Sequence, residues 1–310
     1  MMKILTIIHW SDLFQLKLQA ESLSKLWRGN KRWTIVIEDP LPDVQVLSLE
    51  WCKKNIHIDG WVIDFIIPDN PEIIRHNGWL RQQMCKIYYA AMAKEEWVLI
   101  LDAKNFLIKP TNESFFLRDN GVVYLPRLDN DDFFRLTTNA AKKLLKSNAE
   151  IPAAASMTPW IFNKKEVLHL VNSFGISIDQ WPDNTATEFT LYWHWVYPKF
   201  NWIPLQFVSG FWHKEYADNM YGNIPSISEI KEGSISDHFI FWTHHRYVTN
   251  TEAKEATMQV LTHAGLSTEI ITQWNIEFEK LLNKKDACRH QEFLKNRQGN
   301  DPGFNKQWYE

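Results

Sequence analysis

The first forty residues restrict the fold more than any other part of the chain. Ile4–Ile8 is an unbroken apolar run of strand length that stops at His9-Trp10-Ser11-Asp12. Leu13–Trp27 follows, with apolar residues at Leu13, Leu16, Ala20, Leu23 and Leu26, the spacing of a helix with one buried stripe. Arg28-Gly29-Asn30 stops that helix, and Trp33–Ile37 is a second apolar strand closed by Pro40 and Pro42. A β-α-β opening predicts a parallel sheet with a right-handed crossover. Trp61–Ile67 reads as a third strand, Gly78–Lys94 as the clearest helix and Trp97–Leu101 as a short apolar strand ending at Asp102. Val122–Leu125 is a further strand; helices are expected over Phe134–Lys146, Lys164–Ser173, Glu252–His263 and Glu269–Asn283.

The 310 residues are long enough for two domains, but no linker, repeat or low-complexity tract divides them. The expectation is one α/β domain over 1–250, with a mainly parallel central sheet, and a helical extension over 251–310. A hydrophobic share of 45% excludes wholesale disorder. Net charge is −3, so no bulk basic excess draws the chain to nucleic acid. Cys52, Cys85 and Cys288 are odd in number, widely spaced and without a CxxC pair, which points to reduced thiols and a cytoplasmic protein. The apolar start is too short for a secretory leader, and no run reaches the length of a membrane span. The GxGxxG, Walker and GxSxG patterns are missing, which weakens dinucleotide, P-loop and serine-hydrolase readings.

Two segments have chemistry-bearing spacing. In Gly78-Trp79-Leu80-Arg81-Gln82-Gln83-Met84-Cys85-Lys86, Gln82 and Gln83 stand four and three residues before Lys86, so either amide shares a helix side with the ammonium. Arg75, His76 and Arg81 would add cationic donors for an anion at the helix start. The plainer reading is a solvated helix face over a buried Trp79. Asp102, directly after a buried strand, lies where open parallel sheets gather functional groups, although aspartate is also a common turn former there.

Together these segments resemble a domain-of-unknown-function family of GT-A-fold glycosyltransferases, whose helix reads Gly-Trp-x-x-Gln-Gln-x-x-Lys and whose next strand ends Asp-Ala-Asp. Gly78, Trp79, Gln82, Gln83 and Lys86 match in full, while Leu101-Asp102-Ala103-Lys104 puts Lys104 where the second aspartate belongs. A third family element, Ser-Glu-Tyr before Leu-Tyr, is similar to Thr187-Glu188-Phe189-Thr190-Leu191-Tyr192. The resemblance spans about Ile4 to Trp242 and implies a single GT-A-like, Rossmann-like domain that takes a nucleotide-sugar donor.

It also implies roles. Ile8, His9 and Asp12 would line the nucleoside pocket; Arg75, Gln82, Gln83, Lys86, Asp102, Lys104 and Arg246 would hold the rest of the donor. A divalent cation, Mn or Mg, would sit on Asp102 with help from His245, or from His244 or the acidic run Asp129, Asp131 and Asp132. With Lys104 in place of a carboxylate, the alternatives are an ammonium that replaces the metal's charge, or a site that only binds. Glu188, amid aromatics, is the expected general base and Asp183 the runner-up; the bland role for Glu188 is an ion pair at a helix start near Thr187.

The 16 tryptophans outnumber the 11 glycines. Trp193, Trp195 and Trp212 would offer an acceptor platform, against the simpler account of core packing. The acceptor itself, whether glycan, small molecule or modified nucleic-acid base, is not encoded in any motif, nor is the oligomeric state. The competing functions are a non-catalytic nucleotide- or sugar-binding relative and an unrelated α/β hydrolase or nucleotidyltransferase.

Overall fold

The computed structural model describes residues 1–39, 41–74, 78–126, 132–155, 157–175, 187–211, 239–245, 248 and 251–280. Its centre is a five-stranded sheet in the order β3-β2-β1-β4-β8. The strands are β1 (Met2–Ile8), β2 (Arg32–Ile37), β3 (Val62–Ile66), β4 (Trp97–Asp102) and β8 (Trp160–Asn163). The first four are parallel, and β8 closes the β4 edge antiparallel. Helices α1 (Leu13–Leu26), α2 (Pro42–Asn55), α3 (Pro71–Ile74) and α4 (Gly78–Ala91) make the crossovers.

The alternation within each strand divides the core in two. Ile4, Ile8, Trp33, Ile35, Leu99 and Leu101 join a cluster with α1 and the C-terminal helices. Leu5, Ile7, Val36, Val98 and Ile100 join the opposite cluster, with α4, α7 (Lys164–Phe174) and α8 (Glu188–Val196). A strand buried on both faces must be apolar at every position, which is why these segments read as continuous runs.

The chain leaves the central sheet at Asp102. A two-residue turn leads into β5 (Asn105–Leu107), which pairs antiparallel with β11 (Phe241–His244); β11 in turn pairs parallel with β10 (Val208–Phe211). At Gly210 (φ +135°) a Cβ would lie 2.0 Å from the Thr243 carbonyl oxygen, so only glycine lets β10 approach β11 this closely. A further small sheet joins β6 (Leu117–Arg118), β7 (Gly121–Tyr124) and β9 (Trp202–Pro204). A short α5 (Glu113–Phe116) precedes it, and α6 (Asp132–Leu145) packs on α8.

One element departs from the sequence expectation, and another has an extent that the sequence left open. Pro42, read as a strand terminator, is the first residue of α2, where its missing N–H costs nothing. The aromatic stretch after Thr187 is helix α8, buried on every side apart from Trp195, so no apolar stripe marks it in the sequence. The Thr187 hydroxyl caps it by accepting from the Thr190 N–H at 3.0 Å.

The described part of the expected extension holds the helices Thr251–His263 and 268–280, and their Val260, Leu261, Trp274 and Phe278 belong to the same core cluster as β1. They enclose His244, whose Nδ1 meets the Thr257 hydroxyl at 2.8 Å and whose Nε2 lies 3.1 Å from the Val248 carbonyl. Burial pushes His244 down to about 4, and burial followed by Lys142 does the same for His194. Both therefore stay neutral in the fold while the unfolded chain takes up protons below its ordinary value. Their contribution is complete above pH ~6.5 and is lost as pH falls towards about 4. Glu188, raised by burial, works in the opposite sense. Urea denaturation should show stability falling on the order of 2–4 kcal/mol from pH 7 to pH 5, with a shallower slope in His244→Gln. A flat profile would refute the assignment.

Candidate active site

The site forms where three separate segments meet at the carboxyl end of β4. Asp102 is the last residue of that strand. From α4 the Lys86 ammonium reaches Asp102 Oδ1 at 3.3 Å, and the same Nζ reaches Glu188 Oε1, at the start of α8, at 3.2 Å. Lys104, two residues past the strand, turns back to Asp102 Oδ2 at 2.9 Å. Gln83, one turn before Lys86, accepts from the Glu188 backbone N–H at 3.1 Å. The first turn of α8 is thereby pinned to α4 twice.

Lys86 and Glu188 are 4% and 2% exposed, so their charges depend on each other rather than on water. Burial pushes Lys86 towards neutrality, but Asp102 and Glu188 outweigh it and hold the ammonium above its ordinary range. Burial likewise opposes ionisation of Asp102, yet Lys104 and then Lys86 prevail and keep its carboxyl well below the usual range. For Glu188 burial wins over Lys86 and raises the carboxyl. The two carboxylates are thus driven apart, one firmly ionised and one poised to take a proton, a division typical of acid–base sites. Phe189 lies 4.8 Å beneath the Lys86 ammonium and stacks on Trp160 at 5.4 Å, so rings enclose the cation.

The turn carrying Asp102 and Lys104 is held by residues with no signature in the sequence. Gln19, fully buried on α1, donates to the carbonyls of Asp102 (2.8 Å) and Asn105 (2.9 Å), while its own oxygen accepts from Thr6. Asn105 accepts from the Asp102 N–H at 2.8 Å and donates to Thr243 on β11 at 2.9 Å. Gln19 and Asn105 could have been flagged only as polar residues at positions that periodicity makes apolar.

At the end of β1 the picture is mixed. Ile8 is wholly buried, so its side chain lines no pocket and only its backbone faces β2, accepting from the Glu38 N–H at 2.7 Å. His9 pairs with Asp39 at 3.2 Å and is partly exposed, and Asp12 precedes α1. Arg81, expected to greet an anion, points inward instead. It donates to the carbonyls of Asp39 (2.6 Å) and Ile74 (2.7 Å), with Glu38 at 3.6 Å. Gln82 is half-buried on the helix side next to Gln83. A cavity of about 410 Å³ beside the start of α1 is lined by Trp10, Phe14, Trp51 and Trp274, and not by the Asp102 cluster.

The acceptor platform changes most. Trp193 is 1% exposed and its indole donates to the Pro152 carbonyl, so it is core and offers no open ring. Trp195 is half-buried, but the Lys199 ammonium lies 3.7 Å over its ring. Trp212, Asp183, Arg75, Arg246, Asp129 and Asp131 lie outside the described residues, as does the side chain of Asp132.

Among the described residues the expected metal partners are not assembled. His244 has both ring nitrogens engaged, and among the described residues no three His, Cys, Asp or Glu side chains form a group able to hold a metal. His245 therefore completes no such set with Asp102.

Residues 12–254 match a family of unknown function, DUF6492, and the chain belongs to that family. No curated protein matches it in sequence. The same fold occurs in the galactosyltransferase LgtC in complex with donor and acceptor sugar analogues: TM-score 0.52, 12% identity, 89% of this chain and 100% of that one. An active-site mutant of LgtC gives TM-score 0.50 at 14% identity over 84% and 96% of the two chains. The bifunctional glycosyltransferase WbbM gives 0.51 at 8% identity over 88% of this chain; the chain spans 51% of WbbM's length. The architecture is that of GT-A glycosyltransferases. No helix among the described residues is long and apolar enough to cross a membrane.

Proposed function

We propose that this protein is a glycosyltransferase that moves a sugar from a nucleotide-sugar donor to an acceptor hydroxyl. One observation carries the reading: Lys86, Asp102 and Lys104 form a charged cluster at the carboxyl end of a central strand in a GT-A fold. Open parallel sheets bind their ligands at that edge. His9 and Asp12 lie past the end of the neighbouring strand β1, in place for a nucleoside, with Gln82 and Gln83 on the helix that brings Lys86. Catalysis would rest on positioning and on cations facing the departing diphosphate.

Glu188 is the proposed base. Its raised carboxyl suits the role, and its burial sets a condition, since an acceptor hydroxyl must reach an oxygen that is now enclosed. Glu188→Gln separates two roles. A base predicts turnover down roughly 10²–10⁴-fold with donor affinity preserved. A residue that only positions Lys86 predicts that affinity and turnover fall together. Unchanged turnover removes Glu188 from the mechanism. Asp183 is the second candidate.

The reading itself is tested by a thermal-shift panel of nucleotide sugars, followed by assays for transfer and donor hydrolysis. A ligand that binds only the folded state must raise its melting temperature. If no nucleotide sugar shifts the melting point and none is consumed, the reading falls. A second reading, a sugar- or nucleotide-binding relative without transfer, gains from the neutralisation of Asp102 by two ammoniums. Binding without consumption of any donor would favour it. The acceptor class, whether glycan, small glycoside or modified nucleic-acid base, follows from the same assay with acceptor mixtures.

A further inference from the structure

Lys104 decides the cofactor question for this site. A GT-A enzyme that uses a divalent cation needs carboxylate oxygens free to ligate it, because such ions are bound by oxygen donors at short range. Asp102 supplies two oxygens: Oδ2 lies 2.9 Å from the Lys104 ammonium, and Oδ1, which makes no hydrogen bond, lies 3.3 Å from that of Lys86. A metal on either oxygen would enter a shell held by two positive charges. Glu188, the nearest second carboxylate, is itself bound by Lys86. The described residues hold no cluster of three ligating side chains to repair the deficit. Among the described residues the donor set therefore does not fit a divalent cation.

The same residues do fit an anion. The Lys104 side chain is 18% exposed, at the strand end, while its ammonium is fixed against Asp102. A lysine so held presents a point charge to phosphate. We propose that the donor's diphosphate is held by Lys104, with Lys86 behind it, and that transfer proceeds without a divalent metal. The proposal rests on the glycosyltransferase reading. In the transfer the acceptor oxygen bonds to the anomeric carbon as the bond from that carbon to the diphosphate oxygen breaks. The electron pair leaves with the nucleoside diphosphate, and the acceptor's proton passes to the base. Lys104 meets the charge that grows on the leaving diphosphate.

The test uses the whole protein and free nucleoside diphosphates with uridine, guanosine, cytidine, adenosine or thymidine, titrated calorimetrically in EDTA and again in Mn²⁺. The expected result is one diphosphate that binds with the same affinity, within about twofold, in both conditions, and no heat or electron-paramagnetic signal of Mn²⁺ binding to the protein alone. Lys104→Met should weaken that diphosphate about 10- to 100-fold and leave the parent nucleoside unchanged. Lys104→Asp restores the Asp-Ala-Asp spacing and should make diphosphate binding depend on Mn²⁺. Binding by the wild-type protein that EDTA abolishes and Mn²⁺ restores would overturn the proposal and leave the glycosyltransferase reading intact. Binding of no diphosphate in either condition would overturn both.

Discussion

Lys86→Met should unfold the protein more readily than any other single change at the site and, on the proposed function, cut its turnover sharply. The ammonium is the shared counter-ion of Asp102 and Glu188, and it is nearly inaccessible to solvent. Methionine matches its length and fills its place against Phe189, so the packing loss is small. What remains is a buried Glu188 with no cation and an Asp102 reduced to one. Removing one partner of a buried pair typically costs about 3–5 kcal/mol, and loss of a preorganised charge at a phosphate site costs about 10²-fold or more in turnover. The stability loss should shrink as pH falls below neutrality, because a protonated Glu188 no longer needs a partner. Adding Glu188→Gln to Lys86→Met should recover part of it, since one of the two carboxylates is then gone. Denaturant titration of both variants at pH 5 and pH 7 checks this. A loss under 1 kcal/mol at pH 7 would mean that water reaches Glu188.

Arg81→Met should also cost stability, for a reason unrelated to catalysis. The guanidinium is 4% exposed and gathers the end of β2, the Ile74 carbonyl and the Glu38 carboxylate around α4. Without it the carbonyls of Asp39 and Ile74 lose a charged donor, and a loss of about 2–3 kcal/mol follows. The effect should extend to His9, because Asp39 links that ring to Arg81. The imidazole resonance of His9 should therefore shift in the variant, whereas Lys86→Met should leave it in place. If Arg81→Met melts like the parent, the inward fork does not hold in solution.

The local elements were largely legible. Apolar runs at Ile4–Ile8, Trp33–Ile37 and Trp97–Leu101 became parallel strands in register, because strands enclosed on both faces must be apolar throughout. The α4 motif announced its helix, and the Gln83–Lys86 spacing did place both heads towards one neighbour, Glu188. The start of α8 near Thr187 was legible from its cap, but its extent was not, since burial all round erases the stripe that periodicity detects. Strand β8 was missed for a related reason: Trp160–Asn163 is too short to show any period.

The tryptophan excess resolves the same way. Among the described residues Trp27, Trp33, Trp160, Trp193, Trp242 and Trp274 are buried. Trp33 donates to Thr6, Trp160 to the Ala155 carbonyl and Trp242 to Thr257, each indole N–H finding a partner that only the fold brings near. Trp10, at 39% exposure, is the clearest exception among the described residues.

The sequence by itself determined the β-α-β order, the strand that ends at Asp102 and the helix that carries Gln83 and Lys86, because these follow from periodicity within about fifteen residues. Only the tertiary structure decided which charges meet. Asp102 and Glu188 are 86 positions apart, yet both face one ammonium. Lys104 could have pointed either way from its turn; the pull of Asp102, with the backbone fixed by Gln19 and Asn105, turned it inward. Charge pairing acts across space, and no local pattern records it.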